Sequence, residues 1–444
     1  MLLLTGVCLL LTLLTALYAA LRREKLPFRR QGIQLAALAY FGWMGLSAAL
    51  APLSNTLNSR GELTWWMGAL RYEGMATQLC YMAILLVMSL HPVRLRPVCH
   101  AAAAGLAIFT GITVLQYAGY NPLGLFPAGR SIRTNYEFQG TIGNIDMVSG
   151  YLALMVPLLL GSFLTEKRGW HWLLAGLCGV WLWLCIEVQS GLIALIVGLG
   201  LLICAMLRRA DVRPRGWWIL TGVLLCTGLR GTILLPWLDG ASDLRTAGLW
   251  MLPAALLTAS FALRRPSPRT LSAGQTCIAA LCSVLAAVAV FLLLPLDASH
   301  GGLWEIQQSL LGRGQDAFGS YRLGVWRHAL AIARDNPLLG TGPDTFLHAL
   351  RLRLTALGAK LPETFDNPHN EYIAILVHCG VPALLAYLAL LALRLRDCLR
   401  RRTWPLLAVT ACFAAQAFFS FSICLVTPMW WCILGLTAEE KRNA

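Results

Sequence analysis

Two side chains are chemically equipped in a chain that is otherwise largely apolar. Arg322 opens the stretch 321–335 (YRLGVWRHALAIARD), and His369 lies in 365–372 (FDNPHNEY), where an apolar run begins. An arginine binds phosphate through a planar fork of N–H donors. A histidine at the N-terminal edge of a transmembrane helix meets unsatisfied backbone N–H groups and the positive end of the helix dipole, which favours a neutral imidazole able to take a proton. Each has a plainer reading when taken alone. Arg322 would be an interfacial arginine reaching to lipid phosphates, and His369 a polar cap at the membrane edge. Together, in one long loop, they read as an anion site with a base beside it.

The elements that must position them are membrane helices. Of the 444 residues, 57% are hydrophobic and 13% charged, with mean hydropathy +0.64, against about 45–50% and about 25% in soluble domains. An ordinary cytosolic enzyme is excluded. Apolar runs of the length that crosses a bilayer, about 20 residues, lie near 2–20, 32–51, 75–90, 98–118, 148–165, 171–187, 189–207, 217–235, 248–263, 275–294, 371–393 and 404–422, with a shorter run at 425–437. They predict an all-α, polytopic integral membrane protein of about 12–13 transmembrane helices.

Every second connection is short and basic, from Arg22, Arg23 and Lys25 through Arg208, Arg209, Arg213 and Arg215 to Arg394, Arg396 and Arg400; these loops and the tail hold 23 of the 36 lysines and arginines. The positive-inside rule therefore accounts for the net charge of +15 without a nucleic-acid partner. It places the N-terminus outside and, if the last short run crosses, the C-terminus inside. The first run has no basic n-region and no cleavage pattern, so it is read as a retained helix. The 14 cysteines fall almost wholly within apolar runs and show no ligand spacing, which predicts core cysteines over disulfides or metal ligands; no cofactor is expected.

This divides the chain into a bundle at 1–294 (about ten spans), an extracytoplasmic loop at 295–370, and C-terminal spans with a cytoplasmic tail at 371–444. A 76-residue connection far exceeds ordinary connectors and is typically functional. Within it, 321–335 places Leu323, Trp326, Leu330 and Ala333 on one helical face, and Asn336-Pro337 ends the run. An amphipathic helix on or beside the bilayer is expected. Gly340, Gly342 and Pro343 then turn the chain into a second helix from about Asp344.

The stretch 320–346 (SYRLGVWRHALAIARDNPLLGTGPDTF), followed by 366–388 (DNPHNEYIAILVHCGVPALLAYL), resembles the C-terminal signature of the O-antigen ligase and O-antigen polymerase superfamily. Arg322, Trp326, Pro337, Gly340, Gly342, His369, Asn370 and Gly380 match its pattern. The signature covers 295–390, and the N-terminal two thirds are similar mainly in hydropathy. GTIGN at 140–144 and RYEG at 71–74 look like further shared elements. The resemblance implies a metal-free, GT-C-like glycosyltransferase of the bacterial cytoplasmic membrane with its active site facing outward. Such an enzyme moves a glycan from undecaprenyl diphosphate to an acceptor hydroxyl. By position, Arg322 would hold the diphosphate, His369 would activate the acceptor, and Asn370 would orient sugar or histidine. The chain departs from the family where a second arginine often follows a serine, since 187–192 reads EVQSGL. Arg71, or Arg130 or Arg133 in the outer loop 119–147, would then supply the second contact. Glu187 in that turn has no assigned role.

Three other readings compete with a ligase. A polymerase of the same superfamily shares every motif. A lipid-linked oligosaccharide transporter would need charged or broken helices near the midplane, whereas the polar residues here gather in outer loops. A peptidoglycan glycosyltransferase of the shape, elongation and division type would rest on an outer-loop carboxylate such as Asp297, Asp316 or Asp366. The expected partners are a lipid-linked glycan donor, an acceptor of unknown class and membrane lipids.

Overall fold

The computed structural model describes residues 32–90, 92–126, 139–166, 168–230, 242–361 and 364–438. The first apolar run, near 2–20, lies outside them, and each of the other runs carries helix. In chain order these are α1 (Gly32–Leu50), α2 (Met75–Leu90), α3 (Leu95–Tyr117), α4 (Ile145–Thr165), α5 (Trp170–Ile186), α6 (Gln189–Arg208), α7 (Arg213–Leu229), α8 (Ser242–Leu263) and α9 (Ala273–Leu293). The long loop adds α10 (Gly302–Leu310), α11 (Arg322–Asp335) and α12 (Phe346–Leu357), and the chain continues through α13 (Glu371–Arg400), α14 (Trp404–Gln416) and α15 (Thr427–Gly435). Among the described residues the only strands are two of two residues each, so the protein is all-α.

Apolar sequences of this kind form helices in lipid because a helix satisfies its own backbone polar groups. Six of them, α1, α3, α4, α6, α9 and α13, are long and apolar enough to cross a membrane. The protein is a multi-pass membrane protein. The nine residues of α15 rise only about 14 Å, well short of a hydrocarbon core of about 30 Å. The last apolar run therefore does not cross as a helix by itself.

The described residues up to Val93, together with Leu281–Arg396 and Ala417–Thr437, form one compact unit, and Arg94–Ala280 with Asp397–Gln416 form another. In the second unit α4 is the central helix, with 94% of its apolar window buried. It starts where the Asn144 side chain accepts the N–H groups of Asp146 and Met147, the usual role of an N-cap asparagine. Small residues let its neighbours approach closely: a Cβ on Gly179 of α5 would lie 2.5 Å from Val156, and one on Gly161 of α4 2.8 Å from Pro405.

The first unit is centred on an aromatic cluster. Tyr40 and Phe41 of α1 pack on Trp431 of α15 at ring-centre distances of 5.8 and 4.9 Å, and Tyr387 of α13 closes on Tyr40 at 5.5 Å. All four are buried. The loop helices have their own apolar core, in which Val325, Ala329, Ile332 and Ala333 of α11 meet Phe346, Ala349 and Leu350 of α12, with Phe365 and Val377.

Three expectations from the sequence change here. The buried face of α11 is Val325–Ala329–Ile332–Ala333, and Leu330 is 48% exposed; packing on α12 and α13 turned the helix away from the stripe through Leu323 and Leu330. The run at 404–422 ends as α-helix at Gln416, and residues 420–423 are irregular. Arg394, counted above as a basic loop residue, is only 1% exposed inside α13, and its guanidinium donates to the Ile433 carbonyl.

Candidate functional site

The glycine motif of the long loop and a break in α13 form one structure. Helical geometry in α13 fails at Gly380 (φ 78°, ψ −177°), a conformation essentially restricted to glycine. The break frees carbonyls that the preceding motif takes up. Thr341 N–H donates to Val377 O at 2.8 Å, Gly342 N–H to His378 O at 2.9 Å, and in return Val381 N–H donates to Pro337 O at 2.8 Å. The backbones lie too close for side chains: a Cβ on Gly380 would fall 2.1 Å from Leu338 O, and one on Gly340 2.4 Å from the His378 carbonyl carbon. From α1, Trp43 Nε1 donates to Leu338 O and Ser47 Oγ to Leu339 O and His378 O. The matched glycines thus serve backbone-to-backbone docking that fixes the start of α13.

That start carries His369. Asn367 Oδ1 accepts the His369 N–H at 2.9 Å, an Asx turn that holds His369 at φ 52°, a left-handed backbone uncommon for a residue with a side chain. The Pro368 carbonyl accepts the Trp326 indole N–H at 2.7 Å. The His369 ring meets Phe421 edge-on at 4.9 Å. Asn370, fully buried, accepts the Ile373 N–H on Oδ1 and so caps α13. Its Nδ2 is buried with no hydrogen-bond partner among the described residues.

Arg322 is the first residue of α11, half-buried. It follows Gly319, Ser320 and Tyr321, all with positive φ, so three left-handed residues set its direction. Arg322 and Trp326 stand one turn apart on the same helix face, and Trp326 is tied to Pro368. Arg322 therefore lies one helical turn from the residue that is tied to Pro368, next to His369 in sequence. Among the described residues its guanidinium has neither a hydrogen-bond nor an ion-pair partner.

Arg71 belongs to the same cluster but is engaged. Its Nε and Nη2 reach both oxygens of Asp366 at 2.7 and 2.9 Å, and its guanidinium lies 4.3 Å over the Phe421 ring. Phe421 thus touches both Arg71 and His369. Arg130 and Arg133 lie outside the described residues. The outer-loop carboxylates offered by the alternative reading are also engaged: Asp366 with Arg71, Asp316 with Arg327, and Asp297 with Ser299 and His300.

Next to this cluster the structure brings together groups that the sequence did not single out. Asp344 Oδ2 accepts the Ala69 N–H at 2.9 Å. Burial pushes its carboxyl up to about 6, against hydrogen bonds from the N–H groups of Ala69, Arg71 and Glu73. Glu73 accepts from Gln78 Nε2 and Tyr81 OH, and burial raises its carboxyl too. Glu371 accepts from both the N–H and the Oγ of Ser422. The only signals for these in the sequence were Glu73 inside RYEG and the alternation of serine with phenylalanine at 418–422; their partners lie far along the chain.

In the other unit, the turn where the second arginine was missing has Glu187 at φ 52° paired with Arg230 at the end of α7. Gln116 pairs through its amide with both backbone groups of Gly140, which shapes the GTIGN turn ahead of the Asn144 cap. Among the described residues no group of three His, Cys, Asp or Glu could hold a metal ion.

No curated protein matches the chain. Residues 218–388 match the family model described as O-antigen ligase, a stretch that contains Arg322, Trp326, the 337–342 glycine motif, His369 and the Gly380 break. The match spans 171 of the 444 residues, so what it shows is a C-terminal region similar to the O-antigen ligase family.

Proposed function

We propose that the protein transfers a glycan from a polyprenyl diphosphate donor to an acceptor hydroxyl at the outer face of the bacterial cytoplasmic membrane. The observation that carries this reading is the half-buried Arg322 guanidinium, without a protein partner among the described residues, one helical turn from the Trp326 that is tied to Pro368, the residue before a histidine at the edge of α13. A half-buried arginine with free N–H donors suits a diphosphate, whose leaving ability depends on stabilising the charge that develops on the phosphate oxygen released from the anomeric carbon. His369 takes the proton of the incoming hydroxyl as the glycosidic bond to the acceptor forms and the bond to the diphosphate breaks. Arg71 acts by positioning: its Asp366 pair and its contact with Phe421 fix the surface on which the His369 ring rests. No metal enters this scheme. Neither Arg130 nor Arg133 is needed to explain the described geometry, and either would add a second contact to the donor.

The test is product analysis by mass spectrometry, with purified protein in nanodiscs, a polyprenyl-diphosphate oligosaccharide and a panel of glycan and lipid acceptors. Acceptor-dependent release of polyprenyl diphosphate together with a new glycoside supports transfer, and the product mass separates ligation from polymerisation. Donor that crosses the membrane chemically unchanged would favour a transporter.

A further inference from the structure

The apolar run that begins with α14 does not continue as α-helix. After Gln416 the chain makes one 3₁₀ turn, Ala417–Phe419, runs irregularly through 420–423 and is helical again from Thr427. In apolar surroundings an irregular backbone needs partners for its N–H groups. Side chains supply two of them: Glu371 accepts the Ser422 N–H at 2.6 Å, and Thr427 Oγ1 accepts the Ile423 N–H at 2.8 Å. Glu371 also accepts the Ser422 hydroxyl at 2.7 Å, so one carboxyl holds one residue at two points.

The residue before the one so held is Phe421, and the residue two before Glu371 is His369. Their rings meet edge to face at 4.9 Å and 89°, and the Arg71 guanidinium lies 4.3 Å over the other ring partner, Phe421. These contacts close a circuit. His369 joins Glu371 through the backbone, Glu371 joins Ser422 through two hydrogen bonds, Ser422 joins Phe421 through one peptide, and Phe421 returns to His369. The Asx turn of Asn367 fixes where the His369 side chain starts, but its χ1 could still settle in any of the staggered wells. A neighbouring ring that is itself fixed removes that choice, and Phe421 is only 9% exposed. An acidic residue in the first turn of a helix also favours the dipole, a plainer role that needs neither Ser422 nor Phe421.

We propose that Glu371 is a positioning residue: by latching Ser422 it holds Phe421 against the His369 ring and so sets the direction in which His369 meets the acceptor hydroxyl. The latch works through hydrogen bonding rather than charge. A carboxylate accepts both Ser422 donors, and a neutral carboxyl accepts the N–H on its carbonyl oxygen and donates its own proton to the hydroxyl. A glutamine amide accepts and donates in the same way, whereas alanine makes neither bond. The proposal deepens the transferase reading and rests on it for the hydroxyl, while the restraint on the His369 ring stands independently.

The experiment takes two readouts on the full-length protein in nanodiscs. The first needs no substrate: the rate at which diethyl pyrocarbonate modifies His369, followed peptide by peptide by mass spectrometry. Freeing the ring in Glu371→Ala or in Phe421→Leu should speed that modification about threefold or more, and Glu371→Gln should keep the unaltered rate. The second is steady-state turnover of a polyprenyl-diphosphate oligosaccharide. In Glu371→Ala and in Phe421→Leu, kcat should fall about tenfold or more with little change in KM for the donor, since misdirection of one reacting group is what is introduced. The double variant should be no slower than the slower single one, because both act through one contact, and Glu371→Gln should recover most of kcat. Melting temperatures are recorded beside both readouts, and Phe421→Leu, which leaves the Ser422 latch in place, keeps the test open if Glu371→Ala fails to fold. A Glu371→Gln protein as impaired as Glu371→Ala overturns the latch, as does an unaltered His369 modification rate in Glu371→Ala and Phe421→Leu. Faster modification in both variants of a protein that never turns over polyprenyl diphosphate would leave the restraint standing and sink the transferase reading. Turnover that requires His369 but is unaltered in Glu371→Ala and Phe421→Leu would sink the positioning role alone.

Discussion

Replacing Gly380 by alanine should unfold the site region well before it alters any chemistry. The residue holds φ 78° and ψ −177°, and forcing a side chain into that region costs about 1–3 kcal/mol. The new Cβ would lie 2.1 Å from Leu338 O and 2.7 Å from Pro337 O, both backbone atoms that cannot swing aside. Relief requires the 337–342 segment to move off the break. That movement gives up the bonds Thr341 N–H to Val377 O, Gly342 N–H to His378 O and Val381 N–H to Pro337 O, at about 1 kcal/mol each. The total is about 4–6 kcal/mol. At roughly 2–4 °C per kcal/mol for a unit of this size, thermal unfolding followed by tryptophan fluorescence in nanodiscs should fall by on the order of 10–20 °C. Gly358→Ala is the control, since Gly358 also has positive φ but nothing within 4 Å of its Cβ position, and it should lose only a few degrees. A Gly380→Ala protein that melts within the range of the Gly358→Ala control would refute the docking of the glycine motif on the α13 break.

Trp326→Phe keeps the ring but removes the indole donor to Pro368 O; stability should drop by about 1 kcal/mol, and donor turnover should fall several-fold because Arg322 and His369 lose their shared tie. Asp366→Asn should cut turnover about tenfold while shifting the melting temperature little, since the Arg71–Asp366 pair is partly exposed and such pairs contribute modestly to stability; steady-state assays beside melting curves separate the two effects. The raised carboxyl of Asp344, at about 6 against an ordinary value of 3.8, makes the folded state bind more protons than the unfolded state between those values. Its contribution to stability is therefore most favourable at low pH and is lost as pH rises toward 6. Asp344→Asn keeps an acceptor for the Ala69 N–H without the charge, so its melting temperature relative to the unaltered protein should climb from pH 4 to about 6.5 and then level off. A flat difference would contradict the burial of that charge. EDTA should leave turnover unchanged, and an activity lost in EDTA and restored by magnesium would count against the scheme.

Helix positions were legible because spans need long apolar runs. The motif residues were legible because glycine, proline, arginine and histidine recur in a recognisable order. Partners were not. Arg71 and Asp366, or Glu371 and Ser422, meet only through the fold, and one sequence carries no record of such pairings. Leu330 misled because its hydrophobicity fitted a stripe on α11, while the space against α12 suits the smaller Ala329 and Ala333. The break after Gln416 was hidden because Ala417, Phe418 and Phe419 are as apolar as the helix before them, yet the segment leaves the helix and delivers Phe421 to His369 and Ser422 to Glu371. Arg230 lies inside the apolar run 217–235, and only the fold brings it to Glu187.

The central claim is that Arg322 and His369 act on one substrate. The most direct measurement is release of polyprenyl diphosphate from a polyprenyl-diphosphate oligosaccharide by the nanodisc-reconstituted protein, with Arg322→Ala, His369→Ala and the double variant compared at matched folding. The account predicts that each single variant loses turnover by at least a hundredfold and that the double variant is no worse than the weaker single one, since residues acting as a unit are strongly non-additive. Turnover at the unaltered rate by either single variant would contradict it.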